Sequence, residues 1–392
     1  MIDSRDLNTL SFKGGFWPTW QQEFLLKACL LQGKEALNAW NKWKSAIDVD
    51  QLDRGSLRLI PMLYRNLQVH GVEDELMSKF KGIYRFNLYK NHILLHKMEK
   101  VLANFYDAGI QVMVLKGVAL TLLYYRDYGL RPMDDFDVLI HEEDVAKAIN
   151  ILKELHWKPQ QRLPKVLTVE YLSSTKGGSF NNYEGEGLDL HWHVLLECCY
   201  KNADKDFWDG AVQTSAHDFT VYALNPADQL LHTCVHGSMR NTMPTIRWVA
   251  DASLIIRTSQ AEIDWDRLMA QASKRRMILP LEDTMRYLQD FLPLSIPPEA
   301  LKQLRASPVS KTERMEHAIR TRYPVFIVLV MKEWFCYLRN AQLVRGAKLH
   351  PQIIGFLKYL QHSLFLNHLW QVPFYATYRF IRLFLRMVAR RS

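Results

Sequence analysis

A chain of 392 residues is too long for one small domain, and because 48% of it is hydrophobic, two or three packed globular units are predicted. Its formal net charge of +9 favours anionic partners such as nucleotides, nucleic acid or a membrane surface. The five cysteines lack the paired Cys-x-x-Cys spacing of zinc sites, and their odd number favours a reducing, cytoplasmic location.

Apolar spacing divides the chain into three predicted regions. Residues 1–104 are predicted to be a helical N-terminal region, because apolar residues recur at spacings of three and four from Gln21 onward. The helical pattern changes near Gly109, a residue that can end a helix, and residues 105–222 are predicted to form the catalytic core. Strands are expected at residues 110–115, 136–140 and 188–194, with helices at 118–125 and 144–155. Residues 223–392 are predicted to be a helical C-terminal region.

Three aspartates stand at the mouth of the second predicted strand: Asp134, Asp135 and Asp137. Residues two apart on a strand share a face, so the carboxylates of Asp135 and Asp137 are expected to converge. Their repulsion calls for a compensating cation, and Mg²⁺ is a natural one because it binds carboxylates and substrate phosphates together. The alternative interpretation is that these three aspartates lie in a solvated turn that leads into the strand.

Asp189, at the start of the next predicted strand, offers a third carboxylate. It would complete a two-metal arrangement and would be the best-placed group to deprotonate an incoming hydroxyl. His191 and His193 follow it on the same face of the alternation, where a substrate or metal-shell role is one interpretation.

Other polar residues have both a structural and a functional interpretation. Arg131 fits an ion pair with the aspartates or a contact to a triphosphate. His232 and His236, four apart on a predicted helix, are expected to be packed or hydrogen-bonded rather than metal ligands. Arg247 and Asp251 have the spacing of a helix-stabilising salt bridge, and a role in the substrate pocket is the alternative interpretation.

The order and spacing of these segments resemble the uncharacterised nucleotidyltransferase family of the DNA polymerase β superfamily. The segments are Leu115-Lys116-Gly117, Leu130-Arg131-Pro132-Met133, Asp135-Phe136-Asp137 and Leu188-Asp189-Leu190-His191-Trp192, with further similarity around residues 230–236 and 247–251. The resemblance implies an α+β fold, in which helices flank a mixed β-sheet core. It also implies that Asp135, Asp137 and Asp189 hold Mg²⁺ or Mn²⁺ and that a nucleoside monophosphate is transferred from ATP or another nucleoside triphosphate.

Lys116, Gly117, Arg131 and His191 are the residues expected to contact the nucleotide. Gly117 would let a phosphate approach the backbone, and Lys116 would supply a point charge. The superfamily's usual Gly-Ser or Gly-Gly signature is replaced here by Lys116-Gly117-Val118, so no serine hydroxyl follows the glycine. A lysine that merely ends a strand is the alternative interpretation of Lys116.

The acceptor is left open by the sequence: a small molecule, a sugar, a protein or an RNA would each fit. Two further hypotheses remain. One is a non-catalytic protein of nucleotidyltransferase fold that binds a nucleotide or a partner. The other is a metal-dependent glycosyltransferase that uses the Asp-x-Asp pair, although such enzymes begin with a nucleotide-binding α/β unit rather than with helices.

The termini show neither a secretory signal nor a transmembrane segment, because no run approaches the roughly 20 apolar residues that a membrane span needs. From Pro373 onward, however, apolar and basic residues alternate at helical spacing. That pattern fits peripheral contact with an anionic membrane. A terminal helix docked on its own domain has the same pattern and is the preferred interpretation.

Overall fold

Helices α1 to α5 form the N-terminal part of the computed structural model, which describes residues 17–161, 163–164, 166–216, 219–239, 246–321, 326–341 and 349–388. They are α1 (Trp20–Leu30), α2 (Gly33–Ala46), α3 (Arg54–Leu57), α4 (Ile60–Val69) and α5 (Leu76–Asp107). Thr19 begins α1 with a capping box, in which the Thr19 and Gln22 side chains each bind the other's backbone N–H. Predictions for residues 1–16 and for Arg390 and Arg391 fall outside the described residues.

A mixed sheet of seven strands follows α5 in the described part of the chain. The strands are β1 (Met113–Leu115), β2 (Asp135–Leu139), β3 (Lys158–Pro159), β4 (Gly177–Asn181), β5 (Gly187–His191), β6 (Val212–Ala216) and β7 (Phe219–Ala223). Their order across the sheet is β3-β4-β5-β2-β1-β7-β6. Strand β2 runs parallel to β5 and antiparallel to β1. The first residues of β2 and β5 therefore lie side by side.

Short helices connect the strands, and longer ones follow the sheet. They are α6 (Lys116–Leu120), which continues as a π-helical turn (Thr121–Tyr125), α7 (Val145–Glu154), α8 (Val169–Leu172), α9 (Lys205–Asp209), α10 (Pro226–Met239), α11 (Arg247–Thr258), α12 (Trp265–Lys274), α13 (Ile278–Phe291), α14 (Pro298–Ala306), α15 (Lys311–Arg320), α16 (Phe326–Asn340), α17 (Leu349–Ser363) and α18 (Gln371–Val388). Among the described residues, no helix combines the length and the apolar character that crossing a bilayer requires.

The two faces of the sheet pack into separate hydrophobic clusters. Successive strand residues point to opposite faces, so Leu139 joins one cluster and its neighbour Val138 joins the other. The Leu139 cluster contains residues of α1, α2, α4, α10, α11 and α13. Asp135 and Asp137 precede Leu139 by four and two residues, so they lie on the face that these helices cover.

The α+β fold class, with its mixed sheet between helical N-terminal and C-terminal regions, is confirmed. The first strand is shorter than predicted, since only Met113–Leu115 of residues 110–115 pairs with neighbours. Strands β3, β4, β6 and β7 were not individually predicted; β4 forms a hairpin with β5 within a polar, glycine-containing passage. The division at residues 104 and 222 stays a prediction.

Close contact between α10 and α11 requires a glycine at position 237. A Cβ there would lie 2.3 Å from Cγ of the buried Trp248, so the helices would have to separate. We expect Gly237→Ala to lower the free energy of unfolding by about 1–3 kcal/mol, measured by urea denaturation. Gly82→Ala is the matched control, because a Cβ at this exposed position of α5 meets nothing within 4 Å. It should raise stability by about 0.5–1 kcal/mol; equal effects of both substitutions would contradict the packing argument.

Candidate functional site

Three carboxylates meet where β2 and β5 begin. Asp137 pairs in register with Asp189, and Asp135 pairs with Gly187. A Cβ at position 187 would lie 3.0 Å from the Cβ of Asp135, so glycine leaves room for this carboxylate. The tertiary structure thus brings Asp135, Asp137 and Asp189 together.

Asp137 is the most deeply buried of these acids and has two partners. Lys116 Nζ forms an ion pair with Asp137 Oδ1, and His191 Nε2 lies 2.9 Å from the same oxygen. Burial alone would raise the pKa of Asp137, but Lys116 and His191 hold it well below its usual range. Asp137 is therefore ionised at neutral pH.

His191 supports Asp137 from the neighbouring strand. Burial and the nearby Lys176 and Lys116 lower the pKa of His191 to about 4, so its ring is neutral at neutral pH. An Nε2–H would then donate to Asp137, leaving Nδ1 as an acceptor. Nδ1 is buried and has no hydrogen-bond partner among the described residues. One oxygen each of Asp137 and Asp189 and one ring nitrogen of His191 lie within 4.8 Å of one another.

Asp135 and Asp134 are adjacent in sequence but have opposite environments. Partial loss of hydration, together with repulsion from Asp137 and Asp189, raises the pKa of Asp135 to about 6. Asp134 accepts hydrogen bonds from Lys90 at 2.8 Å and from Arg58 and Arg54.

Partial burial opposes ionisation of Asp134, but those three cations lower its pKa to about 2. The run of three acids is therefore divided: Asp135 and Asp137 share a face of β2, and Asp134 binds α3 and α5.

Lys116 and Gly117 are the first residues of α6 and directly follow β1. The φ angle of Lys116 is +43°, in the left-handed region that non-glycine residues adopt at a cost of about 1–3 kcal/mol. Although burial would lower the pKa of Lys116, the three aspartates raise it. A Cβ at Gly117 would lie 2.8 Å from Met133 Sδ and 3.0 Å from Arg131 Nη1. This glycine lets the 131–133 turn pack against the start of α6, whereas its predicted contact with phosphate stays a prediction.

Arg131 forms its side-chain hydrogen bonds with Asp251 of α11 rather than with the aspartates of β2. Its Nε and Nη2 atoms each donate to Asp251 at 3.0 Å, and the Tyr125 hydroxyl donates to the same carboxylate at 2.7 Å. Arg247 lies 4.0 Å from Asp251, and its Nη1 donates to the Pro132 carbonyl at 2.7 Å. The predicted Arg247–Asp251 pair is thus a loose one, and Asp251 mainly binds Arg131.

His193 does not belong to the carboxylate cluster. It follows the last residue of β5, and its Nδ1 lies 2.7 Å from Asp204 Oδ2. Its predicted position beside Asp189 is therefore wrong, because the strand ends at His191 and the regular alternation ends with it.

A cavity of about 990 Å³ opens over Asp135 and Asp137. Its walls come from three parts of the chain: the N-terminal helices, the turn after β1 with the 131–133 turn, and the helices α10 and α11. Polar residues of α10 line one side at helical spacing, namely Gln229, His232, Thr233 and His236. The two histidines were expected to be packed, and His232 is buried, but both face the cavity.

Sequence reasoning missed two residues of the cationic wall of this cavity, Arg54 and Arg58. Arg247 reaches the cavity from α11, whereas Arg54 begins α3 and Arg58 directly follows it, about 80 residues before the aspartates. Burial and the nearby Arg131 lower the pKa of Arg247 to about 9, so an anion in the cavity would stabilise its charged form. No local motif marks these arginines, because only folding brings them to the acids.

An α+β core with three converging carboxylates is typical of nucleotidyltransferases. The family described as uncharacterised nucleotidyltransferase matches residues 55–293, more than half of the chain. The protein belongs to this family.

A search of curated proteins finds no significant match. Among solved structures, the chain is similar to an antigenic nucleotidyltransferase-like protein from Paracoccidioides brasiliensis, with 13% sequence identity and a TM-score of 0.35. The match covers 55% of this chain and 94% of that protein. Similarity at this level says nothing about activity.

Proposed function

We propose that this protein is a Mg²⁺- or Mn²⁺-dependent nucleotidyltransferase of the DNA polymerase β superfamily, which transfers a nucleoside monophosphate from a nucleoside triphosphate to an acceptor hydroxyl or phosphate. The observation that carries the proposal is the convergence of Asp135, Asp137 and Asp189 beside a large, partly cationic cavity. Family membership supports the same reaction class.

The donor set fits a hard divalent cation. Asp135, Asp137 and Asp189 supply carboxylate oxygens, the ligands that Mg²⁺ prefers. The raised pKa of Asp135 comes from desolvation and from the negative charge of Asp137 and Asp189, which Lys116 compensates only in part. Bound at these carboxylates, divalent ions would polarise the α-phosphate and lower the pKa of the attacking hydroxyl.

The chain's own residues would position the substrates. Arg58 and Arg247 would bind phosphate oxygens, a role that suits the planar guanidinium group. Lys116 and Arg131 would add positive charge at the turn. Asp189, whose Oδ1 accepts a hydrogen bond from Ser179 at 2.6 Å, is held in place to accept the proton of the acceptor hydroxyl.

The size of the cavity bears on the acceptor. Small-molecule sites span roughly 300–1,000 Å³, and this cavity, at about 990 Å³, lies at the upper end of that range. It has room for a nucleotide and a second small molecule. This favours a small acceptor over a polynucleotide.

Calorimetry tests the proposal directly. ATP, GTP, CTP and UTP are each titrated into the protein with and without Mg²⁺, and the Asp135→Ala/Asp137→Ala variant is the comparison. We expect metal-dependent binding of at least one nucleotide, reduced by more than about 100-fold in the variant because two ligand charges are lost.

A UDP-sugar and unchanged thermal unfolding of the variant serve as controls. Binding of the UDP-sugar in preference to every triphosphate would favour the glycosyltransferase hypothesis. If the folded wild-type protein binds no nucleotide, the enzyme proposal is wrong.

A further inference from the structure

The positive charge of this protein is concentrated near its C-terminus. Residues 334–392 contain nine lysines and arginines and no aspartate or glutamate, the last acid being Glu333. Because the formal net charge of the whole chain is also +9, residues 1–333 are neutral overall. The charge is therefore a property of one segment, which begins within α16 and includes α17 and α18.

The same segment exposes a row of large apolar side chains. Trp370, which directly precedes α18, and Phe374, Tyr378 and Ile381 within it are spaced by four, four and three residues, and their exposed fractions are 64%, 69%, 56% and 50%. Helical spacing of this kind aligns residues on one face. The rings of Trp370 and Phe374 contact each other edge to face at 6.0 Å. We call these four residues the apolar stripe.

The sequence pattern favoured a terminal helix docked on its own domain, but these four side chains are exposed. Val372 is buried in α18, so one side of the helix does pack against the protein. The apolar stripe faces outward instead. Burying four such side chains against an apolar medium would be favourable, so their exposure in water is costly.

We infer that α18 binds the surface of an anionic lipid bilayer, with the apolar stripe inserted at the boundary between headgroups and acyl chains. Tryptophan and tyrosine favour that boundary, since their rings are apolar and their N–H and O–H groups reach water. Arg379, Arg382 and Arg386 recur in the same helix at spacings of three and four. Positive charge without any acid complements anionic headgroups.

A bilayer explains the stripe better than a nucleic acid does. Basic residues with aromatic ones suit both partners, because bases also stack on rings. Ile381, and the exposed Ile353 and Ile354 of α17, are aliphatic and gain nothing from stacking. They gain free energy on entering the apolar part of a bilayer.

Vesicle co-sedimentation of the full chain tests this inference. Vesicles of phosphatidylcholine alone are compared with vesicles of equal parts phosphatidylcholine and phosphatidylglycerol. We expect binding to the anionic vesicles only, weakened by high salt.

Two variants separate the two contributions. Trp370→Ser/Phe374→Ser should weaken binding at least about tenfold, because it removes inserted rings. Arg379→Gln/Arg382→Gln/Arg386→Gln should weaken it about 100-fold, since each basic residue near an anionic surface contributes about fivefold. Phe86→Ser/Tyr89→Ser, which removes two exposed aromatics of α5, is the matched control and should bind as wild type does.

Retained Mg²⁺-dependent nucleotide binding and unchanged thermal unfolding would show that the variants are folded. Failure of the wild-type protein to bind anionic vesicles would overturn the inference. An equal loss of vesicle binding in the α5 control would also overturn it. So would tight binding of a labelled oligouridine that depends on α18, if the protein does not bind vesicles. Concentration-dependent dimerisation abolished by Trp370→Ser/Phe374→Ser, again without vesicle binding, would instead assign the stripe to a second copy of the chain.

Discussion

Replacing Asp189 by asparagine is expected to weaken Mn²⁺ binding by about 10³-fold in the presence of nucleotide. The substitution keeps the shape of the side chain and removes one charge. At an effective dielectric constant of about 20, two unit charges roughly 4 Å apart interact by about 4 kcal/mol. The double charge of Mn²⁺ doubles this attraction, and the cost of desolvating the carboxylate offsets about half of it, which leaves about 10³ in affinity. Electron paramagnetic resonance of free Mn²⁺ measures the effect.

Two further substitutions sharpen this test. Ser179→Ala removes the hydroxyl that donates to Asp189 but keeps the charge, so a loss of only about 10–100-fold is expected. Asp134→Asn removes a carboxylate from the same acidic run, but one that binds Arg54, Arg58 and Lys90. It should leave Mn²⁺ affinity within a few fold. If Asp134→Asn and Asp189→Asn lowered Mn²⁺ affinity equally, the metal would respond to the overall negative charge of the region rather than to the carboxylates aligned by the register of β2 and β5.

The second large effect concerns stability. Asp251→Leu is expected to lower the free energy of unfolding by about 3–5 kcal/mol, because it leaves the Arg131 guanidinium buried without its partner. The Tyr125 hydroxyl would lose its acceptor as well. Urea denaturation measures the change.

A compensated variant distinguishes loss of the charge pair from loss of packing. Arg131→Met/Asp251→Leu/Tyr125→Phe replaces the whole buried network by apolar groups, which is often neutral for stability. We expect this triple variant to be more stable than Asp251→Leu alone. It should nevertheless bind nucleoside triphosphates more weakly if Arg131 also contributes charge to the nucleotide. A triple variant less stable than the single one would refute the explanation.

Several features of the site could be predicted from local pattern. The pair Asp135 and Asp137 was predicted to share a face because strand periodicity is a property of the backbone itself. Asp189 was placed on a neighbouring strand because the alternation around it is regular, and the register with Asp137 agrees with this. The left-handed backbone at Lys116 and its ion pair with Asp137 had no such local signal.

The C-terminal helix α18 shows what the spacing of residues in a sequence does not predict. Apolar and basic residues at helical spacing predicted the α18 helix, but the same spacing suits a docked helix and an exposed one. Which residues of α18 are covered depends on the surface that its neighbour α17 presents, a property of the tertiary structure. For Phe374, Tyr378 and Ile381 the result is exposure.

By itself, the sequence determined the helical and extended segments around the site, the family resemblance, and the two strands that carry the acids, since these depend on periodicity over a few residues. The tertiary structure decided the rest: Arg54 and Arg58 face the cavity, Arg131 binds Asp251, and α10 turns two histidines toward the acids. These contacts join residues that lie about 80 to 120 positions apart. Charge and burial select such partners only once the chain has folded, so no local pattern encodes them.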